Sequence, residues 1–363
     1  MRKRTVLWGL GGTTRDFLDK KGFHRDLDII AFTDNNPSLW NTVYRGIPVI
    51  PPSELKNMGY DAIIICSLYH KEIRNQLEQD LGVDADLVVS CFEMEEEIKR
   101  ALIKKYSPSP DREIQQVVDY FRHNPLNVFG SYESKKQRYP VSRDDGNHPY
   151  ILFEGKRMYF PDTFSFGETG GVQYVDDILY EQREGSPHLY IRSEDDIRGG
   201  SVIVDAGTCE GNFALRYIEK AKKVYLIEPD PLWMQALQRT FQPYRNKVVF
   251  CSKFVGKQDS ADTITIDSLV SERADFIKMD IEGAELDALA GAKRTLEDSH
   301  AKCAICSYHR WHDEKAIRKM LEGYGYTTST SQGYMFFPYD ENIMDTLDLR
   351  RGVVYGDKDE EAE

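Results

Sequence analysis

From residue 201 onward, short apolar runs alternate with stretches of helical spacing. The runs are 202–204, 224–227, 248–251, 276–279 and 301–307, and the helical stretches are 213–218, 231–241, 284–296 and 314–323. Runs that are apolar on both faces suit strands inside a parallel sheet, and the alternation predicts such a sheet covered by helices on both sides. Residues 263–270 read as a short extended piece leading into a turn. Residues 334–337 and 353–355 read as a closing antiparallel pair.

A smaller α/β pattern precedes this one. Apolar runs at 5–8, 27–32, 62–66 and 87–89 predict strands, 70–81 has the spacing of an amphipathic helix, and 44–52 reads as a loop with a short extended piece. The turn GLGGTT at 9–14 follows the first run, and Asp34 follows the second. That is a dinucleotide-type layout with Thr14 where a third glycine would stand. The unit resembles the small Rossmann-like domains that precede sugar-modifying enzymes, which implies a cleft that binds, or once bound, a nucleotide-sugar; the alternative is a structural or dimerising domain with an empty cleft.

Between the two patterns the chain changes character. EMEEEIKRALIKKY reads as a charged helix, SPSPD as a break with Asp111 as a helix cap, and REIQQVVDYFRHN as an amphipathic helix. Residues 126–198 are rich in loops and aromatics, with Phe153, Tyr159, Phe160, Phe164 and Phe166 ahead of FGETGG. Residues 170–184 then have helical spacing. That segment reads either as a lid over the second pattern, with Tyr174 and Asp177 facing a substrate, or as plain packing. The division expected is a Rossmann-like domain at 1–95, a helical connector at 96–150, a second domain at 151–356 and an acidic tail at 357–363.

Length and charge narrow the class. At 363 residues the chain is long enough for two cores. No apolar run spans a bilayer and no signal-like apolar stretch follows Met1, which predicts a cytoplasmic protein without stable membrane insertion. The net charge is −13, and the tail supplies five acids against one lysine. An acidic chain without a basic run argues against nucleic acid as partner. The six scattered cysteines read as buried reduced thiols. Homo-oligomerisation is left open.

The chemistry concentrates at 201–231, SVIVDAGTCEGNFALRYIEKAKKVYLIEPDP. A strand ends on Asp205, a turn carries Gly207 and Gly211, a helix follows, and a second strand ends on Glu228. Gly207 suits a tight turn, and Gly211 would let a ligand approach the backbone. Glu228 stands where a carboxylate accepts both hydroxyls of a ribose. A second acidic stretch, DFIKMDIEGAE at 275–285, delivers Asp280 to a strand tip, with Glu282 and Glu285 behind it.

DAGTCEGNF, IEPDP, TIDSL and DFIKMDIEGAE together resemble the FkbM-type family of class I S-adenosylmethionine (SAM) methyltransferases over about 200–355. The resemblance implies a doubly wound, mostly parallel Rossmann-like sheet preceded by a smaller Rossmann-like domain. It implies SAM held by Asp205, Gly207, Thr208, Gly211, Asn212, Glu228, Pro229, Asp230 and Asp280. YHRWHD at 308–313 resembles a segment of sugar-modifying members, which puts Tyr308 and Arg310 beside a small-molecule or glycan-precursor acceptor. Cys209–Glu210 departs from the family's usual small or neutral residues there.

Transfer to a sugar hydroxyl needs a base or a metal. His309 could take the proton with Asp280 or Glu282 orienting it, or Asp280, Glu282 and His309 could bind a divalent cation. A capping or surface role is the plain alternative for His309, and an ordinary helix carboxylate is the favoured reading of Glu285. CAICSYHRWH does not read as a zinc site, because Cys303 and Cys306 would point to opposite faces of a strand. Two other functions compete: an NAD(P)-dependent nucleotide-sugar dehydrogenase or epimerase using the first Gly turn, and a non-catalytic cofactor-fold scaffold.

Overall fold

The computed structural model describes residues 2–19, 27–135, 137–164, 172–338, 340 and 343–358; the side chains of residues 19 and 172–174 are outside that description. The expectations for Phe166, FGETGG and the end of the tail therefore fall outside the described residues, as does the Tyr174 side chain. The chain divides into two compact units. One comprises 1–130 with 336–349, the other 131–335 with 350–363.

The first unit is built on six strands: β1 (Lys3–Trp8), β2 (Leu27–Thr33), β3 (Thr42–Tyr44), β4 (Ile47–Ile50), β5 (Ala62–Ile65) and β6 (Val88–Ser90). Their order is β3-β4-β2-β1-β5-β6. All neighbours run parallel except β3 and β4, a hairpin whose second strand is the short extended piece read within 44–52 and whose first strand lies just ahead of it. Helix α1 (Gly12–Asp19) follows the Gly turn, and α2 (His70–Asn75) continues into a π-helical turn at Gln76–Asp80. Helix α3 (Cys91–Tyr106) starts from a capping box of Ser90 and Glu93, so it grows directly from β6. Asp111 caps α4 (Arg112–His123), accepting from the N–H groups of Glu113 and Ile114. Both helices belong to the first unit, although the sequence draws a connector at 96–150. Residues 336–349 complete this unit: Phe336 N–H bonds Val128 O at 2.9 Å, and Lys105 Nζ bonds Thr346 O at 2.6 Å.

The second unit opens with an antiparallel sheet of β7 (Ser142–Arg143), β8 (Pro149–Phe153) and β9 (Lys156–Tyr159), in a region read as loops. Helix α5 (Val172–Tyr180) follows. The main sheet then forms from β10 (Val202–Ala206), α6 (Asn212–Tyr217), β11 (Lys223–Ile227), α7 (Pro231–Thr240) and β12 (Val248–Cys251). A short parallel pair, β13 (Phe254–Val255) and β14 (Thr263–Ile264), leads to α8 (Ile266–Leu269). After it come β15 (Phe276–Met279), α9 (Glu285–Ala290), α10 (Lys293–Asp298), β16 (Lys302–Cys306), α11 (Asp313–Gly323), β17 (Thr327–Thr330) and β18 (Val353–Asp357).

The order is β12-β11-β10-β15-β16-β18-β17. The first five strands run parallel, and β18 is antiparallel to both of its neighbours. Two buried clusters cover the sheet, one including Ile203, Phe213, Leu237 and Phe276, the other Val204, Ile277, Leu289 and Ile317. The helix read at 284–296 is two helices, because Gly291 O turns aside to accept the Asp267 N–H at 3.0 Å. The closing partner of 353–357 is Thr327–Thr330 rather than 334–337. TTST has no apolar run to announce it. Asp357 is also not tail: it lies in β18 and takes a two-pronged bond from Arg192 at 2.6 Å to each oxygen. Among the described residues, no helix is long and apolar enough to cross a membrane.

Candidate active site

Strand order reverses between β10 and β15, and a cleft of about 310 Å³ opens at their carboxyl ends. Gly207, Glu228, Pro229, Asp230 and Asp280 line it, together with Trp233, Phe254 and Glu282. Asp205, Thr208, Gly211 and Asn212 are not among its lining residues.

Glu228 sits at the tip of β11, only 8% exposed. Its two oxygens each accept one backbone N–H at 2.9 Å, from Cys209 and from Asp230. Burial raises its pKa, and those two bonds oppose the rise. Each carboxylate oxygen keeps further lone-pair capacity, so the fork remains able to accept two hydroxyls. Trp233 and the 60% exposed Phe254 offer aromatic walls to a flat ring. Asp230 caps α7 through Leu232 N–H at 2.7 Å.

The two glycines have different jobs. Gly207 has φ +73°, and a Cβ there would stand 1.7 Å from Asp280 O, so the turn closes against the next strand tip. Gly211 has φ +78°, and its Cβ would strike Leu237 Cδ2 at 2.7 Å. It is small to admit helix α7, not a ligand, which corrects the reading above. Thr208 is also internal, donating to Asp205 O at 2.8 Å and accepting the Ile227 N–H at 3.1 Å. Asn212 is the first residue of α6 and is 8% exposed. Asp205 is fully buried, with Oδ1 3.0 Å from Lys278 Nζ.

Asp280 joins the cleft to a buried polar cluster. Tyr190 Oη donates to its Oδ2 at 2.7 Å, and Tyr308 Oη to its Oδ1 at 3.0 Å. His188 Nε2 lies 3.4 Å from Oδ2, and His309 Nε2 lies 3.4 Å from Oδ1. Burial works against the Asp280 charge, but His188, Lys278 and His309 outweigh it and hold the carboxyl well below the usual range. On its far side His188 meets Glu181 at 3.3 Å. Burial opposes its protonation, and Glu181, Cys306 and Asp280 override that, raising its pKa well above the ordinary value.

His309 is bracketed in the same way. Nδ1 stands 3.0 Å from Glu285 Oε1 and Nε2 faces Asp280. Burial favours its neutral form, yet Glu285, Asp280 and Glu282 together raise its pKa. Glu285 is 1% exposed and also accepts the Ile281 N–H at 3.0 Å. It is therefore an internal partner of His309 and not an ordinary helix carboxylate. Glu282 has a 96% exposed side chain, 3.9 Å from His309 Nε2. Its backbone φ of +56° turns it outward at the rim.

The donor atoms of Asp280, Glu285 and His309 fall within 4.8 Å of one another, as do those of His188, Asp280 and Cys306. In the first set the acids face different nitrogens of one ring. That holds a proton between them better than it would cage a cation, and Glu282 is not part of it. Arg310 is exposed, with its N–H bonded to Asp313 at 3.0 Å. Asp177 is exposed on α5, while its neighbour Asp176 points inward to Arg183 at 2.6 Å.

Sequence reasoning missed His188, Tyr190, Lys278 and Glu181. Lys278 had a signal: a charge inside a four-residue strand buried at every position must have a partner. His188 and Tyr190 lie in a stretch with no period to read.

The sheet order and the switch-point cleft define a class I methyltransferase fold in the second unit. Residues 241–328 match the model of the methyltransferase FkbM domain, the family that the motifs resemble, and residues 1–89 match that of the C2185-like N-terminal domain. No curated protein matches the chain. Among solved structures, methyltransferase FkbM from Methylobacillus flagellatus KT is 18% identical, covering 98% of this chain and 90% of its own, with a TM-score of 0.46. Magnesium protoporphyrin IX methyltransferase (ChlM) from Synechocystis PCC 6803, solved with bound SAM, is 13% identical, covering 51% and 79%, TM-score 0.32. UDP-D-quinovosamine 4-dehydrogenase from Vibrio fischeri is 20% identical, covering 25% and 78%, TM-score 0.20.

Proposed function

We propose that the second unit is a SAM-dependent O-methyltransferase acting on a sugar hydroxyl of a nucleotide-sugar or surface-glycan precursor. The supporting observation is Asp280. One carboxylate lines the Glu228 cleft and meets His309, so nucleoside grip and proton acceptor share a wall. The cleft fits the cofactor: Glu228 has lone pairs left for a ribose diol, and two aromatic side chains flank the space beside it. When bound, SAM supplies a methyl group on a sulfonium, open to in-line displacement.

The chain's own residues do the rest. The half-buried Asp280 stays ionised and favours positive charge in the cleft. Tyr190 and Tyr308 fix its orientation by donating to its two oxygens. His309, in its neutral form, accepts the acceptor hydroxyl's proton at Nε2 while Glu285 holds Nδ1–H. No step requires a cation. Exposed Trp311 and Arg310, next to His309 in the chain, offer a face and a charge to a sugar. We place the reaction in the cytoplasm, where nucleotide-linked acceptors and free thiols are at home.

Calorimetric titration with S-adenosylhomocysteine (SAH) tests the cofactor, and mass spectrometry of a nucleotide-sugar panel tests the acceptor. Absence of SAH binding would overturn the reading. SAH binding without transfer to any sugar would remove the sugar acceptor and leave the cofactor.

A further inference from the structure

We propose that the first unit binds a ribonucleoside in the cleft at the carboxyl ends of β1, β2 and β5, with Asp34 accepting the ribose diol. The cleft measures about 510 Å³. It lies where the sheet order reverses, since the chain builds β2 and β4 on one side of β1 and then β5 and β6 on the other.

Asp34 stands just past the tip of β2. Its Oδ2 accepts the Leu10 N–H at 3.1 Å and its Oδ1 the Asn36 N–H at 2.9 Å. Both oxygens are thus fixed by the backbone, and both keep lone-pair capacity in a residue that lines the cleft. Glu228 has the same circuit in the second unit: an acid past the second strand, one N–H from the Gly turn and one from two residues on. The geometry of Asp34 stands without any assumption about what Glu228 binds.

Three further features give the ligand its class. Gly11 lines the cleft, and a Cβ built on it meets nothing within 4 Å, so the turn's backbone is open to close approach. Leu68 and Tyr69, on the loop after β5, line the same cleft while 77% and 70% exposed, an apolar and an aromatic face suited to a base. Among the described residues the lining carries the carboxylates Asp34 and Glu72 and no lysine or arginine. Among the described residues a diphosphate would meet no lysine or arginine there, which favours a neutral nucleoside or the nucleoside end of a larger molecule. Thr14 is fully buried and donates to Gly9 O at 2.8 Å, so the third-glycine position of a dinucleotide site is occupied by an internal bond.

The test uses the full-length protein, titrated with adenosine, uridine and their 2′-deoxy counterparts by saturation-transfer NMR. We expect at least one ribonucleoside to bind in the presence of saturating SAH, and its 2′-deoxy form to bind about tenfold more weakly, the loss of roughly one hydrogen bond to a charged group. Asp34→Ala is expected to weaken it by a similar factor, and Tyr69→Ala, at an exposed position that leaves folding intact, by about threefold or more. Binding of neither ribonucleoside at millimolar concentration overturns the proposal. So does affinity that survives both Asp34→Ala and Tyr69→Ala. Failure of SAH to bind would sink the methyl-transfer reading alone, and the Asp34→Ala and Tyr69→Ala comparisons would still test this one.

Discussion

Lys278 Nζ lies 3.0 Å from Asp205 Oδ1, with the two side chains 4% and 1% exposed. The same ammonium donates to Gly207 O at 2.6 Å. Asp205 therefore acts on the cleft at one remove: it holds the lysine that pins the glycine turn. Burial opposes the Lys278 charge, and Asp205 and Asp280 outweigh it and raise its pKa, while burial also raises the pKa of Asp205 against the pull of the lysine. Asp205→Ala leaves the ammonium buried and unmatched, at a cost of about 3–5 kcal/mol. Thermal unfolding should show a melting temperature lower by on the order of 10 °C. The double change Asp205→Leu, Lys278→Met should recover much of that loss. A single variant as stable as the wild type would mean that the pair is not a structural strut.

Glu228→Ala should weaken SAH binding by about 1.5–3 kcal/mol for each hydrogen bond lost to the charged group. Calorimetric titration measures it directly. Wild-type affinity in the variant would remove Glu228 from the nucleoside grip.

His309→Ala should lower methyl-transfer turnover on the order of 10²–10⁴-fold with SAH affinity intact. The raised His309 pKa fixes the sign of the pH profile. The base works when neutral, so turnover should rise with pH through a midpoint above the ordinary histidine value of about 6.5. Glu285→Gln removes the nearest negative charge and should move that midpoint down. The linkage to stability runs the opposite way: the bracketed imidazolium's contribution is complete below the unfolded value and fades as pH climbs through the folded one. A midpoint unmoved by Glu285→Gln would separate His309 from the rate-limiting proton transfer. Prolonged chelator treatment should leave turnover unchanged, and its loss would put a cation back into the site.

Gly211→Ala should destabilise the second unit by about 2–4 kcal/mol, since the left-handed backbone and the contact with Leu237 both resist a Cβ. Urea unfolding measures the loss, and SAH affinity of the folded protein should survive. Full stability with lost binding would return this glycine to the ligand.

The parts of the site that were legible are those announced by local order. An apolar run that ends on an acid is visible in one dimension, and Glu228 and Asp280 were read that way. Asp205 has the same signature but a different fate, because its partner comes from a neighbouring strand 73 positions away in the chain. Tyr190 meets Asp280 across 90 positions and His188 meets Cys306 across 118. Those pairings depend on how loops return to the sheet, which no periodicity encodes. The parallel core of the fold was legible for the same reason that the strand tips were. Strand β17 was not, since a short polar strand such as TTST carries no apolar run and owes its form to the neighbours that it pairs with. The β7–β9 sheet was not either: β8 is apolar, PYILF, but its partners SR and KRMY are too short to announce a sheet.

Because residues 336–349 complete the first unit, ribosomal synthesis must run past residue 349 before that unit has all its parts. Its amino-terminal strands emerge early but wait for a late segment, so folding from the front end cannot finish in isolation. A truncation at residue 130 would strip Lys105 and Phe121 of their partners and expose an apolar seam. The halves of this polypeptide are consequently not separable cassettes, and grafting either onto another enzyme would require carrying the far strand of chain along with it.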